Sequence, residues 1–334
     1  MTQERIRGIS ARVSAKPSAL LFRDRAMPWW PKRGDDIEWK TVPVGTMATP
    51  RGYLGAALVG HKVYTIGGRS PESEGALDTV EAFDIQSCES VTLPDLSLPH
   101  ARSGAAIVKV AAGAVYVCGG ADKHNGQAAT CYECAPPGGP WHSKAEMPHA
   151  VVCAAGAADA DGRVYVIGGL DGVTPSKAVW RFDPAAGTWS QVQALHVVRY
   201  SAAAATAGGK IYVFGGIDEQ GYVATVEEYD PATDTWTVLE KQLLTPRYNL
   251  AAVTGSNSRI YVVGGMRQCS AVDLVEEFNP ATKTWKQMTP MPTARYGVGV
   301  AATADGRILV LGGWRKVSST FLATGVIEEG TLPS

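Results

Sequence analysis

Residues 248–265 read "YNLAAVTGSNSRIYVVGG". A run of small residues, LAAV, leads into the polar turn GSNS. A second run, IYVV, then climbs to two glycines. Short apolar runs on either side of a polar turn read as paired antiparallel strands. A double glycine marks backbone at positive φ, or a place where another segment lies too close for a Cβ. The chain writes this phrase six times, with pairs at Gly67-Gly68, Gly119-Gly120, Gly168-Gly169, Gly215-Gly216, Gly264-Gly265 and Gly312-Gly313. The first glycines are 52, 49, 47, 49 and 48 residues apart. A period near 50 sets the whole architecture.

The rest of each unit follows the same logic. "GAALV", "GAAIV", "CAAGAA", "SAAAATA", "LAAV" and "GVGVAA" open the units as strands of small residues. Such strands bury little area and suit a crowded position at the axis of a radial sheet. "DGR" (161–163 and 305–307) and "GGK" (208–210) are tight-turn signals between the first two strands. A third strand appears in "TVEEYDPATDTW" (225–236) and "LVEEFNPATKTW" (274–285), where Asp230-Pro231 and Asn279-Pro280 set a turn. A fourth strand opens at Trp141, Trp189, Trp236 or Trp285.

Four antiparallel strands per unit, repeated around an axis, predict an all-β, six-bladed β-propeller. The order of small strand, apolar-GG, "EEYDP" and "TW" resembles the kelch repeat over residues 36 to 330. The resemblance is nearest to the kelch domains of adaptor and interaction proteins. In the sixth unit "RILVLGG" is followed by a weak third strand, "STFLATGVIEEG" (319–330), with no Trp after it. "DDIEWKTVPVGTMATPR" (35–51) has a fourth-strand Trp with no third strand before it. The expectation is that the strand carrying Trp39 closes the last blade. Closure removes edges that would otherwise pair with other chains.

The organisation expected is a basic extension over 1–35, a propeller over 36–330 and a short tail over 331–334. Residues 1 to 33 hold eight Lys/Arg against Glu4 and Asp24 and end in "MPWWPKR". This segment reads as an arm, and its composition is compatible with an organelle transit segment. With a formal net charge of −1, the 334-residue chain makes no electrostatic case for nucleic acid. It has no run of 18 apolar residues, so no membrane span is expected. Cys88, Cys118, Cys131, Cys134, Cys153 and Cys269 follow no repeat register, so reduced thiols in a cytoplasmic setting are expected. "CYEC" (131–134) places its cysteines on opposite faces of a strand, which is poor geometry for a shared metal.

One set of charges does repeat. Arg51, Arg102, Arg199, Arg247 and Arg295 stand 16 or 17 residues before the first glycine of their units. Val151 takes the sixth place. Tyr200, Tyr248 and Tyr296 directly follow three of these arginines, and Tyr53 lies one place further along. Propeller symmetry would gather the set at one mouth of the channel. In adaptor propellers of the family, matching arginines help hold acidic peptide side chains. An alternative role is bonding to carbonyls of a neighbouring loop.

Two functions are therefore carried forward. The first is a non-catalytic, monomeric interaction module that binds the acidic segment of another protein at an Arg/Tyr-rimmed mouth, with no cofactor or metal. The second is a small-molecule enzyme on the same fold, such as a cofactor-free sugar mutarotase like the sialic-acid mutarotase. Asp122, His124, Asp218 and Glu219, in loops after the second strands, are the polar groups nearest to such a role. No repeated acid–base pair, nucleophile elbow or phosphate loop accompanies them.

Overall fold

The computed structural model describes residues 35–333 apart from 41, 74 and 136–138. The expected basic extension therefore lies, but for Asp35, outside the described residues. Six antiparallel sheets form the blades of a propeller, five of them four-stranded and the sixth with two short segments side by side along its outer edge. Blade 4 is representative, with strands Ala203–Ala207, Lys210–Phe214, Val226–Asp230 and Thr235–Val238 in that order from the axis outward. The innermost strands of adjacent blades lie alongside one another, which is why they are built from Ala and Gly. Among the described residues the one helical element is a short 3-10 turn, Pro94–Leu96.

The core lies between blades. Ala203, Ala205, Tyr212 and Phe214 of blade 4 pack against Ile260, Val262 and Phe278 of blade 5. Equivalent clusters fill the other junctions, including one where Leu309, Leu311 and Ile327 of blade 6 meet Val63 and Phe83 of blade 1. The outer-strand tryptophans add a repeated inter-blade bond. Trp141, Trp189 and Trp236 donate from Nε1 to the carbonyls of Leu96, Ala145 and Gln193 in the preceding blade, each at 2.8 Å.

The glycine pairs join blades. Gly264 has φ +60°, and a Cβ there would lie 2.5 Å from the carbonyl oxygen of Arg295. Gly265 N–H donates to that same oxygen at 2.9 Å. The contact recurs around the ring and includes Gly312-Gly313 against Arg51 O of blade 1, where Gly313 N–H donates at 2.8 Å. Each pair thus lets one blade approach the backbone of the next.

In blade 6 the third strand is Val326–Thr331. The "STFLA" part of the expected strand instead forms a hairpin, Trp314–Val317 with Thr320–Ala323, that projects from the blade. Glu38–Trp39 pairs with Thr331 and Gly330, and Gly45–Thr46 pairs further along the same strand. Trp39 Nε1 donates to Thr289 O of blade 5 at 3.0 Å, the pattern seen in the other blades. Leu332, placed in a tail by sequence, is buried among blades 5 and 6.

The cysteines need one correction. Cys118 and Cys131 face each other on adjacent strands of blade 2, with Cα atoms 4.1 Å apart, and form a disulfide. They are 13 residues apart in sequence, so only the strand register reveals them as partners. Cys134 packs into the blade 1–2 junction while Cys131 packs into the blade 2–3 junction, on opposite faces as expected.

Candidate functional site

Alternating strands place two kinds of loop at one end of the propeller: those between second and third strands, and those linking each blade to the next. At this mouth one residue per blade adopts left-handed backbone geometry: Tyr53, Gly104, Cys153, Ser201, Asn249 and Gly297, with φ between +53° and +60°. Their peptides form a closed ring. Gly104, Cys153, Ser201, Asn249 and Gly297 each donate N–H to the ring carbonyl of the preceding blade at 2.8–3.0 Å. Tyr53 N–H donates to Gly297 O at 2.8 Å and completes the circle. Left-handed geometry costs a non-glycine residue roughly 1–2 kcal/mol, and here the ring holds it in place. The ring residues line a narrow axial cavity of ≈ 110 Å³.

The repeated arginines do not point into this mouth. Arg51, Arg199, Arg247 and Arg295 are 0% exposed, and Arg102 is 5% exposed. Four of them pair with buried glutamates of the third strands: Arg51 with Glu81 at 2.5 Å, Arg199 with Glu227 at 2.8 Å, Arg247 with Glu276 at 2.9 Å and Arg295 with Glu328 at 2.6 Å. Each guanidinium also donates to backbone, as Arg247 does to the carbonyls of Gly264, Thr245 and Val262. The glutamates anchor the linking loops: Glu81 accepts from the N–H groups of Ala48 and Thr49, and Glu227 from those of His196 and Val197. Burial pulls the guanidinium pKa values down, opposed by the paired carboxylates. The expected solvent-facing arginine ring is thus replaced by a ring of internal staples. Arg102 departs from the pattern, because Tyr132 holds the glutamate's place and the guanidinium bonds Thr130 Oγ1 and Ala101 O. In blade 3 both members are replaced together, by Val151 and Trp180. Losing the arginine alone would leave the glutamate's charge buried without its partner.

The tyrosines do gather at the mouth. Tyr53 and Tyr296 meet edge to face at 6.0 Å, and Tyr222 stacks on Tyr248 at 5.9 Å. Tyr200 pairs by a backbone bridge with Ile217 at the foot of the blade 4 loop. Burial pushes the phenol of Tyr53 up strongly and that of Tyr248 up to about 12, so both remain neutral hydrogen-bonding groups.

Three contributors escaped the sequence reading. Trp314 packs beside Tyr53, with ring centres 6.4 Å apart. Phe321 meets Tyr296 at 5.4 Å, and Tyr222 is 39% exposed. Exposed Arg267, Arg315 and Lys316 stand on the same loops. All lie in the loops that follow the glycine pairs, which the strand order places at this mouth.

The candidate enzyme residues serve turns. Asp122 Oδ1 accepts from the N–H groups of His124 and Gly126, and Asp218 Oδ1 from those of Gln220 and Gly221. Cys153, in the axial ring, has its thiol pKa raised by burial. Among the described residues no group of three or more His, Cys, Asp or Glu side chains could hold a metal ion.

Comparison with known proteins agrees with this architecture. Residues 140–313 match the family model of the KLHDC2/KLHL20/DRC7 Kelch-repeats domain, and residues 50–97 match the Kelch motif. No curated protein matches the chain significantly. The first match covers just over half of the sequence and runs from the outer strand of blade 2 through blades 3 to 5 to the second strand of blade 6. With six glycine-paired blades and their shared inter-blade contacts, the chain belongs to the kelch-repeat β-propeller family.

Proposed function

We propose that this protein is a non-catalytic interaction module that holds an acidic segment of a partner protein at its aromatic mouth. Kelch propeller domains are typically protein-interaction modules. The observation that carries the reading is the convergence of Tyr53, Tyr222, Tyr248, Tyr296, Trp314 and Phe321 at one end of the axis. Such rings supply contact area at low entropic cost and are enriched at binding hot spots. The cations beside them, Arg267, Arg315 and Lys316, are exposed. They take over the carboxylate-binding role that the sequence pattern suggested for the buried arginines. Guanidinium groups suit bidentate contact with carboxylates.

Affinity capture from the native cell tests this, using wild type, a Tyr222→Ala/Phe321→Ala variant and an Ala281→Arg control in an exposed turn at the opposite end. The first variant should lose the captured partner, while the control retains it. Both should keep the wild-type melting temperature. Equal capture by all three proteins would defeat the proposal.

A further inference from the structure

The charges at the tips of the loops between second and third strands are sorted by blade. In blade 5 the loop tip Met266–Ala271 carries Arg267 and no acid. In blade 6 the hairpin Trp314–Ala323 carries Arg315 and Lys316 and no acid. On the other side, blade 3's tip Leu170–Pro175 carries Asp171, half-exposed and 3.1 Å from His149 Nδ1, and blade 4's tip, residues 217–222, carries Asp218 and Glu219. Neither tip has a Lys or Arg; Lys177 of blade 3 and Asp273 of blade 5 lie beyond the tips, where each loop returns to its third strand. The tips of blades 1 and 2 mix signs, with Arg69 near Glu72 and Asp122 beside Lys123. Ion pairs within blades 5 and 6 use Arg247, Arg259, Arg295 and Arg307, and leave the tip cations facing solvent.

The boundary between the two signs is also built. Tyr222 of blade 4 stacks on Tyr248 of blade 5 with an interplanar angle of 16°. The Tyr222 hydroxyl accepts from the N–H of Gln268, tying the acidic tip to the basic one. Tyr248 pairs with Met266 at the foot of the basic tip, and Tyr200 with Ile217 at the foot of the acidic tip. A segment crossing the mouth would pass from acid-lined to base-lined rim over a stacked aromatic pair.

From this arrangement, and resting on the interaction reading above, we infer that the mouth selects a polypeptide segment of divided charge. Its acidic residues lie over blades 5 and 6, its basic residues lie over blades 3 and 4, and an apolar or aromatic residue sits between them. Opposed potentials fix direction: a reversed segment would place like charges together on both sides, and like-charge juxtaposition is strongly penalised at interfaces. A uniformly acidic segment would gain on one side and be repelled on the other.

The test is a selection from a random 12-residue peptide display library on the immobilised full chain. The enriched peptides are then titrated as synthetic fluorescent probes. Peptides with acids and bases segregated to opposite ends should emerge. Each should bind about tenfold or more weakly to Arg315→Glu/Lys316→Glu and to Asp171→Lys/Glu219→Lys, both of which should melt like wild type because the sites are exposed. Enriched peptides that are acidic throughout, or that bind the Asp171→Lys/Glu219→Lys protein as well as wild type, would overturn this inference and leave the interaction reading standing. No enrichment over a blank surface would overturn the interaction reading itself, and this inference with it.

Discussion

Replacing Gly264 by alanine probes the contact that the repeated glycine pairs exist to make. Two costs arise. The backbone at φ +60° is left-handed, a geometry that costs an L-residue roughly 1–2 kcal/mol. The new Cβ would also stand 2.5 Å from the carbonyl oxygen of Arg295. That oxygen cannot retreat freely, because it accepts from Gly265 N–H at 2.9 Å and belongs to a residue whose side chain is locked by Glu328. Overpacking of a fixed site adds about 1–3 kcal/mol, for a total of about 2–5 kcal/mol. Gly209→Ala supplies the control. Gly209 has φ +77°, but its Cβ would meet nothing within 4 Å, so only the conformational cost applies. Urea unfolding, followed by tryptophan fluorescence, should show a clearly lower midpoint for Gly264→Ala than for Gly209→Ala. Equal midpoints would mean that the glycine pair serves conformation alone and that the inter-blade approach carries no weight.

Three further outcomes are expected. Arg247→Ala should destabilise the protein by about 3–5 kcal/mol, because it leaves Glu276 buried without its partner. Arg247→Val/Glu276→Leu should recover much of that loss, since blade 3 already carries apolar residues at both places; a double variant as weak as the single would count against this. Glu228 is pushed up by burial but held below the ordinary glutamate range by hydrogen bonds from Lys210, Lys283 and Tyr212. Its stabilisation is complete above the unfolded pKa of about 4.3 and is lost as pH falls through the lower folded value. Melting temperatures from pH 7 to 3 should therefore fall more steeply for wild type than for Glu228→Gln, and parallel curves would contradict the assignment. Deleting residues 1 to 46 removes Trp39 and bares the Val326–Thr331 strand, so light scattering should report association or insolubility; a monomeric, cooperatively unfolding 47–334 fragment would show that this strand is dispensable.

Much of the fold was legible because propeller geometry repeats. The glycine pairs and the small innermost strands recur in all six blades, and the opening tryptophan in five. The site was less legible, for physical reasons. Sequence spacing locates Arg247 along its strand but does not say which way the side chain turns. Its partner Glu276 lies 29 residues on, and only the joint replacement by Val151 and Trp180 in blade 3 hints that the two belong together. Phe321 was hidden differently: the hairpin carrying it is as β-rich as the strand that follows, so composition merged them. Cys118 and Cys131 become neighbours only through cross-strand register. Tyr53, Tyr248 and Tyr296 were found because they sit beside a repeated landmark.

The most direct measurement is site-specific photo-crosslinking in the native cell. A photoreactive phenylalanine analogue would replace Phe321 at the mouth in one protein and Ala281 in the opposite turn in another. The mouth position should yield a discrete adduct with a partner polypeptide, competed by the divided-charge peptides, while position 281 yields none. An adduct from position 281 alone would place partner binding on the other end of the propeller and contradict the assignment of the aromatic mouth.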